Sequence, residues 1–369
     1  ALCVALAFGG FLLLGQKLSP SLNIATEILP AETEQAEIVV TPSPTVTSAQ
    51  MSSAEETFHL LDTTVIPATD LVLVAEKFEG KKDIPRTLTT PPIDYKVGDE
   101  APFWVLNTDT SVNTRVTARL AYETKDVYFW IAEGVNYDQE ALKELVETFD
   151  RKIYPTDQEF FGKAWLPGVD NDPHLYILYA PGLGDSVAGY MSSTDGVLTQ
   201  AHPYTNEHEM FTINSDIQTL SDPYTFGVAA HELQHLIHDY HDSNEESWLN
   251  EGFSELAVFL NGYETGGFDS VFSYDPDIQL NEWPDDSSAV EPHYGAGFLF
   301  TTYMLDRFGE DFTKAVVAEK KNGLSSIDAV FADKGVVDPL NGKALNADLF
   351  FQDWTLANYL QDATVSDGR

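Results

Sequence analysis

The chain has 369 residues, 43% hydrophobic and 12% aromatic, which is enough apolar surface to bury one or two sizeable cores. Fifty-nine acidic against 20 basic residues give a formal net charge of −39, a surface that repels phosphate backbones and excludes nucleic acid as an expected partner. The one cysteine, Cys3, leaves no intramolecular disulfide to form; for an exported protein this is a bacterial pattern rather than a disulfide scaffold.

Residues 2–14 are almost wholly apolar and are followed by Gln16 and Lys17. That length suits the core of a signal peptide better than a membrane span, so residues 1–18 are expected to be a signal peptide or an uncleaved anchor. Residues 19–53 lack apolar periodicity, and residues 41–48 alternate Pro with Ser and Thr, the composition of an extended, disordered linker.

Residues 54–135 read as a small β-rich domain. Strands are expected at 71–74 and 103–106, then a turn at 107–110 and a hairpin of 114–122 with 127–131. Residues 136–369 read as a second, larger domain. It opens with an amphipathic helix at 138–153, with Leu142, Leu145, Val146 and Phe149 at helical spacing. Strands follow at 175–180, 188–191 and 210–213. Asp222-Pro223 then starts a helix, as N-cap and first helical residue, that runs to about 240. Further helices are expected at 245–260, 294–308, 312–320, 325–332 and 347–360, with a polar insert at 265–288. Strands first and helices after point to the α+β class.

The helix from 222 carries His231-Glu232-Leu233-Gln234-His235. H-E-x-x-H on a helix sets two imidazoles one turn apart on one face, half of a zinc shell, beside a carboxylate able to take a proton from water. The next helix carries Asn250-Glu251-Gly252-Phe253-Ser254-Glu255. Glu251 is the expected third ligand. Glu255, one turn on, is expected to orient a ligand histidine, and Glu232 to serve as general base and acid. H-E-x-x-H alone also arises by chance in amphipathic helices; the second motif argues against that. His238 and His241 read as solvent-facing, Glu245 and Glu246 as solvated residues at a helix start, and Trp248 and Phe253 as core.

These two motifs resemble the gluzincin metallopeptidases, the group that includes thermolysin, and within it the hyicolysin-like and immune inhibitor A-like bacterial neutral metallopeptidases. Residues 168–173, 189–193, 209–214 and 293–300 extend the resemblance over about 100–362. The resemblance implies a zincin-like two-lobed catalytic domain, a β-rich lobe at 136–242 bearing the zinc helix and a helical lobe at 243–369. It matches His231, His235 and Glu251 to zinc ligands and Glu232 to the catalytic acid-base. The G-x-M-E-N signature of the related aminopeptidases is not evident, which favours an endopeptidase. Position 238 is histidine where the metzincin pattern needs glycine.

An oxyanion formed during peptide hydrolysis needs a donor beside the metal, and His293 and Tyr294 at the start of a helix are candidates, helix capping or core packing being the alternative. Asp170-Asn171-Asp172 offers alternate oxygens to calcium, or forms a simple turn. The reading is a secreted or extracellular bacterial zinc endopeptidase acting on protein or peptide, touching a membrane only through its N-terminal segment if that is uncleaved. The alternatives are a zinc aminopeptidase and a non-catalytic exported surface protein with a structural zinc.

Overall fold

A computed structural model describes residues 2–6, 52–64, 67–339, 341–362 and 364–365. They fall into two units, residues 9–67 and residues 1–8 with 68–369. The Pro/Ser/Thr tract at 41–48 and residues 7–14 of the apolar run lie outside the described residues.

In the smaller unit, helix α1 (Ser53–Thr63) occupies residues expected to begin a β-rich domain. Its start is a capping box: Glu55 N–H donates to Ser52 Oγ at 3.3 Å, and Ser52 N–H to the Glu55 carboxylate at 2.7 Å.

The larger unit includes strand β1 (Leu2–Leu6) and helix α2 (Leu71–Phe78). Residues 71–74, expected as a strand, are thus helical. Asp70 caps them, accepting the Val72 and Leu73 N–H groups at 3.0 and 3.1 Å. Val72 and Ala75, three residues apart on one helical face, are buried with Ile84 and Ala201.

Strands β2 (Glu100–Asn107), β3 (Val112–Glu123) and β4 (Val127–Ala132) form an antiparallel meander. Helix α3 (Gln139–Thr148), a π-helical turn (Phe149–Ile153) and helix α4 (Tyr154–Phe161) then cross over to β5 (Leu175–Ala180), which runs parallel to β4. With β6 (Val187–Ser192) and β7 (Met210–Asn214) they make one seven-stranded sheet in the order β1-β6-β7-β5-β4-β3-β2. Strands β2–β4, expected to belong to a separate β domain, are therefore three of the seven strands of the sheet that carries β5–β7, joined to it by the parallel pairing of Val127–Ile131 with Leu175–Tyr179.

Both faces of the central strands are covered, which is why β5 reads as an unbroken apolar run. Leu175, Ile177 and Tyr179 pack into the core shared with the helices, and Tyr176, Leu178 and Ala180 into a second core with Phe103 and Trp130. The C-terminal part is helical: α5 (Pro223–His241), α6 (Ser247–Leu260), α7 (Phe268–Tyr274), α8 (Glu291–Phe308), α9 (Glu310–Val317), α10 (Leu324–Lys334) and α11 (Ala347–Leu360). Helix α7 lies within the insert expected to be polar and buries Phe268 and Phe272. The class is α+β. Among the described residues, no helix is long and apolar enough to cross a membrane.

Helices α6 and α8 meet through glycine. A Cβ on Gly252 would stand 2.8 Å from Gly297 O, and one on Gly297 would stand 2.8 Å from Trp248 O. The two backbones can approach this closely only because neither carries a side chain there. Ala ordinarily stabilises a helix interior over Gly by about 1 kcal/mol. At Gly252 the sign should reverse: Gly252→Ala should lower stability by about 1–3 kcal/mol through overpacking, read as a lower urea midpoint. A higher midpoint would mean that the helices do not touch there.

Candidate active site

Helix α5 begins at Asp222, which accepts the Tyr224 N–H at 3.0 Å, with Pro223 in its first turn. The helix packs on β6 and β7, and its residues from Thr225 to His238 are buried. Histidine is a weak helix former, so burial holds this stretch rather than propensity. Helix α6 lies against it and brings Glu251 and Glu255 to the same side.

His231 Nε2, His235 Nε2 and Glu251 Oε2 converge into a triangle with sides of 2.9, 3.2 and 3.3 Å. All three residues are buried. Ligands about 2.0–2.1 Å from a tetrahedral zinc lie about 3.3–3.4 Å from one another, so the donor set fits that ion in both chemistry and spacing. Each ring nitrogen facing away from the triangle also has a partner. His231 Nδ1 lies 3.0 Å from Glu255 Oε1. His235 Nδ1 faces Ser254 Oγ at 3.0 Å and Asn250 Oδ1 at 3.3 Å, and Ser254 donates its own proton to Gln234 Oε1. Such contacts fix tautomer and ring orientation.

The electrostatics show what the cluster requires. Burial resists charge on His231, yet Glu251 and Glu255 outweigh it and hold the imidazole at about 10. Burial also resists charge on Glu251, but His235 and His231 hold its carboxyl down at about 2. Burial pushes His235 down and Glu255 up. Two carboxylates in an apolar core demand a cation, and a proton on His231 or a divalent ion can meet that demand.

Glu232 is fully buried on α5. Its Oε1 lies 3.4 Å from where a Cβ on Gly189 would stand, so the bare backbone of β6 leaves the room it occupies. Tyr294 is brought close to the cluster, its ring centroid 6.2 Å from that of His231, and is held by Phe268 and Trp283 at 5.0 and 4.9 Å. His293 is also buried, with its ring 6.2 Å from Trp283.

Several expectations need correction. His238 is buried, not solvent-facing, because α6 covers it: its Nδ1 lies 3.1 Å from Asn250 Oδ1 and its ring 5.9 Å from Phe253. His241 is half-buried, with Nε2 2.9 Å from Lys163 O. Glu245 is half-buried and accepts the Gly323 N–H at 2.7 Å, whereas Glu246 is exposed and accepts Trp248 Nε1–H at 2.7 Å. Calcium at Asp170 and Asp172 is not supported. Both are buried and already engaged by imidazoles, Asp170 with His208 at 2.6 Å and Asp172 with His174 at 2.5 Å. The sequence reading gave Asn250, Ser254 and Gln234 no role; Ser254 and Gln234 lie one turn from Glu251 and His231, and Asn250 is adjacent to Glu251, which was the available signal.

No protein-family model matches the chain. It is similar to the neutral metalloprotease ShpI of Staphylococcus hyicus, at 28% identity over an alignment of 253 residues that covers 62% of this chain and 56% of that protein. The chain thus spans a little over half the length of the curated relative it matches.

The triangle predicts proton-coupled metal binding. An imidazole held at about 10 is protonated near pH 7 and must lose that proton to bind a metal, so affinity should rise with pH until that value is passed. Calorimetry near pH 7, in buffers of different ionisation enthalpy, should report about one proton released per zinc ion bound. Heats that do not depend on the buffer would contradict this charge state.

Proposed function

We propose that this chain is an exported bacterial zinc endopeptidase that hydrolyses internal bonds of proteins or peptides. The observation that carries the reading is the convergence of His231, His235 and Glu251 within 3.3 Å of one another, with the buried Glu232 on the same helix. The sheet with α5 forms one wall of the proposed cleft and the helices from α6 onward the other, a two-lobed arrangement with the metal between them.

His231, His235 and Glu251 would hold the ion, and Glu255 would orient His231. When bound, the ion acidifies water and polarises the peptide carbonyl. Glu232 takes the proton from the attacking water and delivers it to the leaving amine. The Tyr294 hydroxyl donates to the carbonyl oxygen as charge builds there. Tyr294 is preferred to His293 because its ring stands beside that of His231. Endopeptidase action rests on the lack of an evident aminopeptidase signature. Export rests on the apolar run at residues 2–14, although its first residues, Leu2–Leu6, pair with β6 as strand β1.

Cleavage of an internal bond in peptides blocked at both ends, abolished by a chelator and restored by zinc, is the expected behaviour. If only peptides with a free amino end are cut, the enzyme is an aminopeptidase. Glu232→Gln should keep its zinc and lose about 10²–10⁴ in kcat, since an amide cannot accept the proton. Full activity, or loss of metal, would remove Glu232 from that role. Tyr294→Phe should lower kcat and kcat/KM together by about 10²–10³ with zinc content unchanged. If kcat is unchanged, the donor is another group.

A further inference from the structure

One turn beyond His235, where α5 ends, stands a second cluster: His238, Asp242 and Glu245. Each offers one ligand atom, and the three lie within 4.8 Å of one another. His238 is 1% exposed and Asp242 6%, and both keep a buried atom without a hydrogen bond, Nε2 of the imidazole and Oδ2 of the carboxylate. A buried polar atom left unpaired is costly, and two from neighbouring residues facing a third carboxylate indicate a missing shared partner.

The rest of the cluster is arranged as metal ligands are. His238 Nδ1 has an acceptor in Asn250 Oδ1 at 3.1 Å, the contact a ligating imidazole needs on its other nitrogen, and the Gln234 amide nitrogen lies beside it at 3.2 Å. One Glu245 oxygen is fixed by the N–H groups of Gly323 and Glu246, at 2.7 and 2.6 Å. Burial pushes the Glu245 carboxyl up to about 7 and that of Asp242 upward; Asp242 adds to the cost of ionising Glu245, and Glu319 to that of Asp242. Lys320 lends positive charge at longer range without an ion pair to either carboxylate among the described residues. Asp242 is the C-cap of α5, and the helix dipole there also favours a cation.

We propose that His238, Asp242 and Glu245 form a second metal site, which takes a divalent transition ion of the zinc type and braces the turn between α5 and α6. One imidazole nitrogen with two carboxylate oxygens suits zinc, whereas calcium seeks six to eight oxygens. The site pins the end of the helix that carries His231 and His235 to the turn that leads to Glu251. Asn250 touches both clusters, through His235 and through His238.

The full chain, dialysed against micromolar zinc and analysed for metal, tests the proposal. Wild type should hold two zinc ions per chain, and the His231→Ala/His235→Ala double variant and Asp242→Asn one each. Zinc should raise the Tm of the double variant, and adding His238→Gln to it should abolish that rise. Glu245→Gln, at a half-exposed position, provides a second variant should His238→Gln fail to fold, and should likewise remove one zinc. The proposal is overturned if the folded double variant holds no zinc and its Tm ignores the metal, or if Asp242→Asn and Glu245→Gln both keep the wild-type zinc content. A chain whose only zinc survives in the double variant and is lost in Asp242→Asn would uphold this site and instead remove the ion from His231 and His235.

Discussion

The structure depends on an unbalanced charge in its core. Glu251 and Glu255 on one helix face His231 and His235 on another, and all four are buried. Carboxylates in an apolar interior are strongly unfavourable unless paired, and neutral imidazoles do not balance them. A proton on His231 or a divalent ion can supply the balancing charge, and three lone-pair atoms meeting at 2.9–3.3 Å offer the donor set, and nearly the spacing, of a tetrahedral zinc site.

The scaffold exists to keep that meeting point fixed. Helix α5 lies on β6 and β7, where Gly189 lets it come close to β6. Helix α6 is trapped between α5 and α8, and Gly252 and Gly297 permit backbone contact on the far side. Gly252 directly follows Glu251, so the closeness of α6 to α8 sets where the carboxylate stands. A further contact completes the arrangement: a Cβ on Gly295 would collide with Phe268 O, so α7 lies tight against the start of α8, beside Tyr294. The glycines of these motifs thus serve helix packing rather than flexibility.

Much of this was legible in the sequence where the signals are chemical and local. Asp222-Pro223 announces α5, the i and i+4 histidines announce a metal face, and the unbroken run at β5 announces a strand buried on both sides. Other features were hidden for identifiable reasons. The apolar run at 71–74 is ambiguous over four residues, and only the Asp70 cap and the spacing of Val72 and Ala75 distinguish helix from strand. The continuity of β2–β4 with β5–β7 depends on a parallel pairing across some forty residues, which no local pattern encodes. His238 looked like a surface residue because polar side chains near a helix end usually are. Its burial follows from the path of α6, a tertiary fact. Asp170 and Asp172 looked like oxygen ligands because the histidines that engage them come from His174 and His208, the latter far along the chain.

Anomalous diffraction from crystals of the zinc-loaded full chain, measured on either side of the zinc absorption edge, tests the central claim most directly. The account predicts an edge-dependent peak about 2.0–2.2 Å from His231 Nε2, His235 Nε2 and a Glu251 oxygen, with helices α5 and α6 unmoved. A map without a peak between those three residues, or one in which Glu251 turns away from the ion, would contradict it.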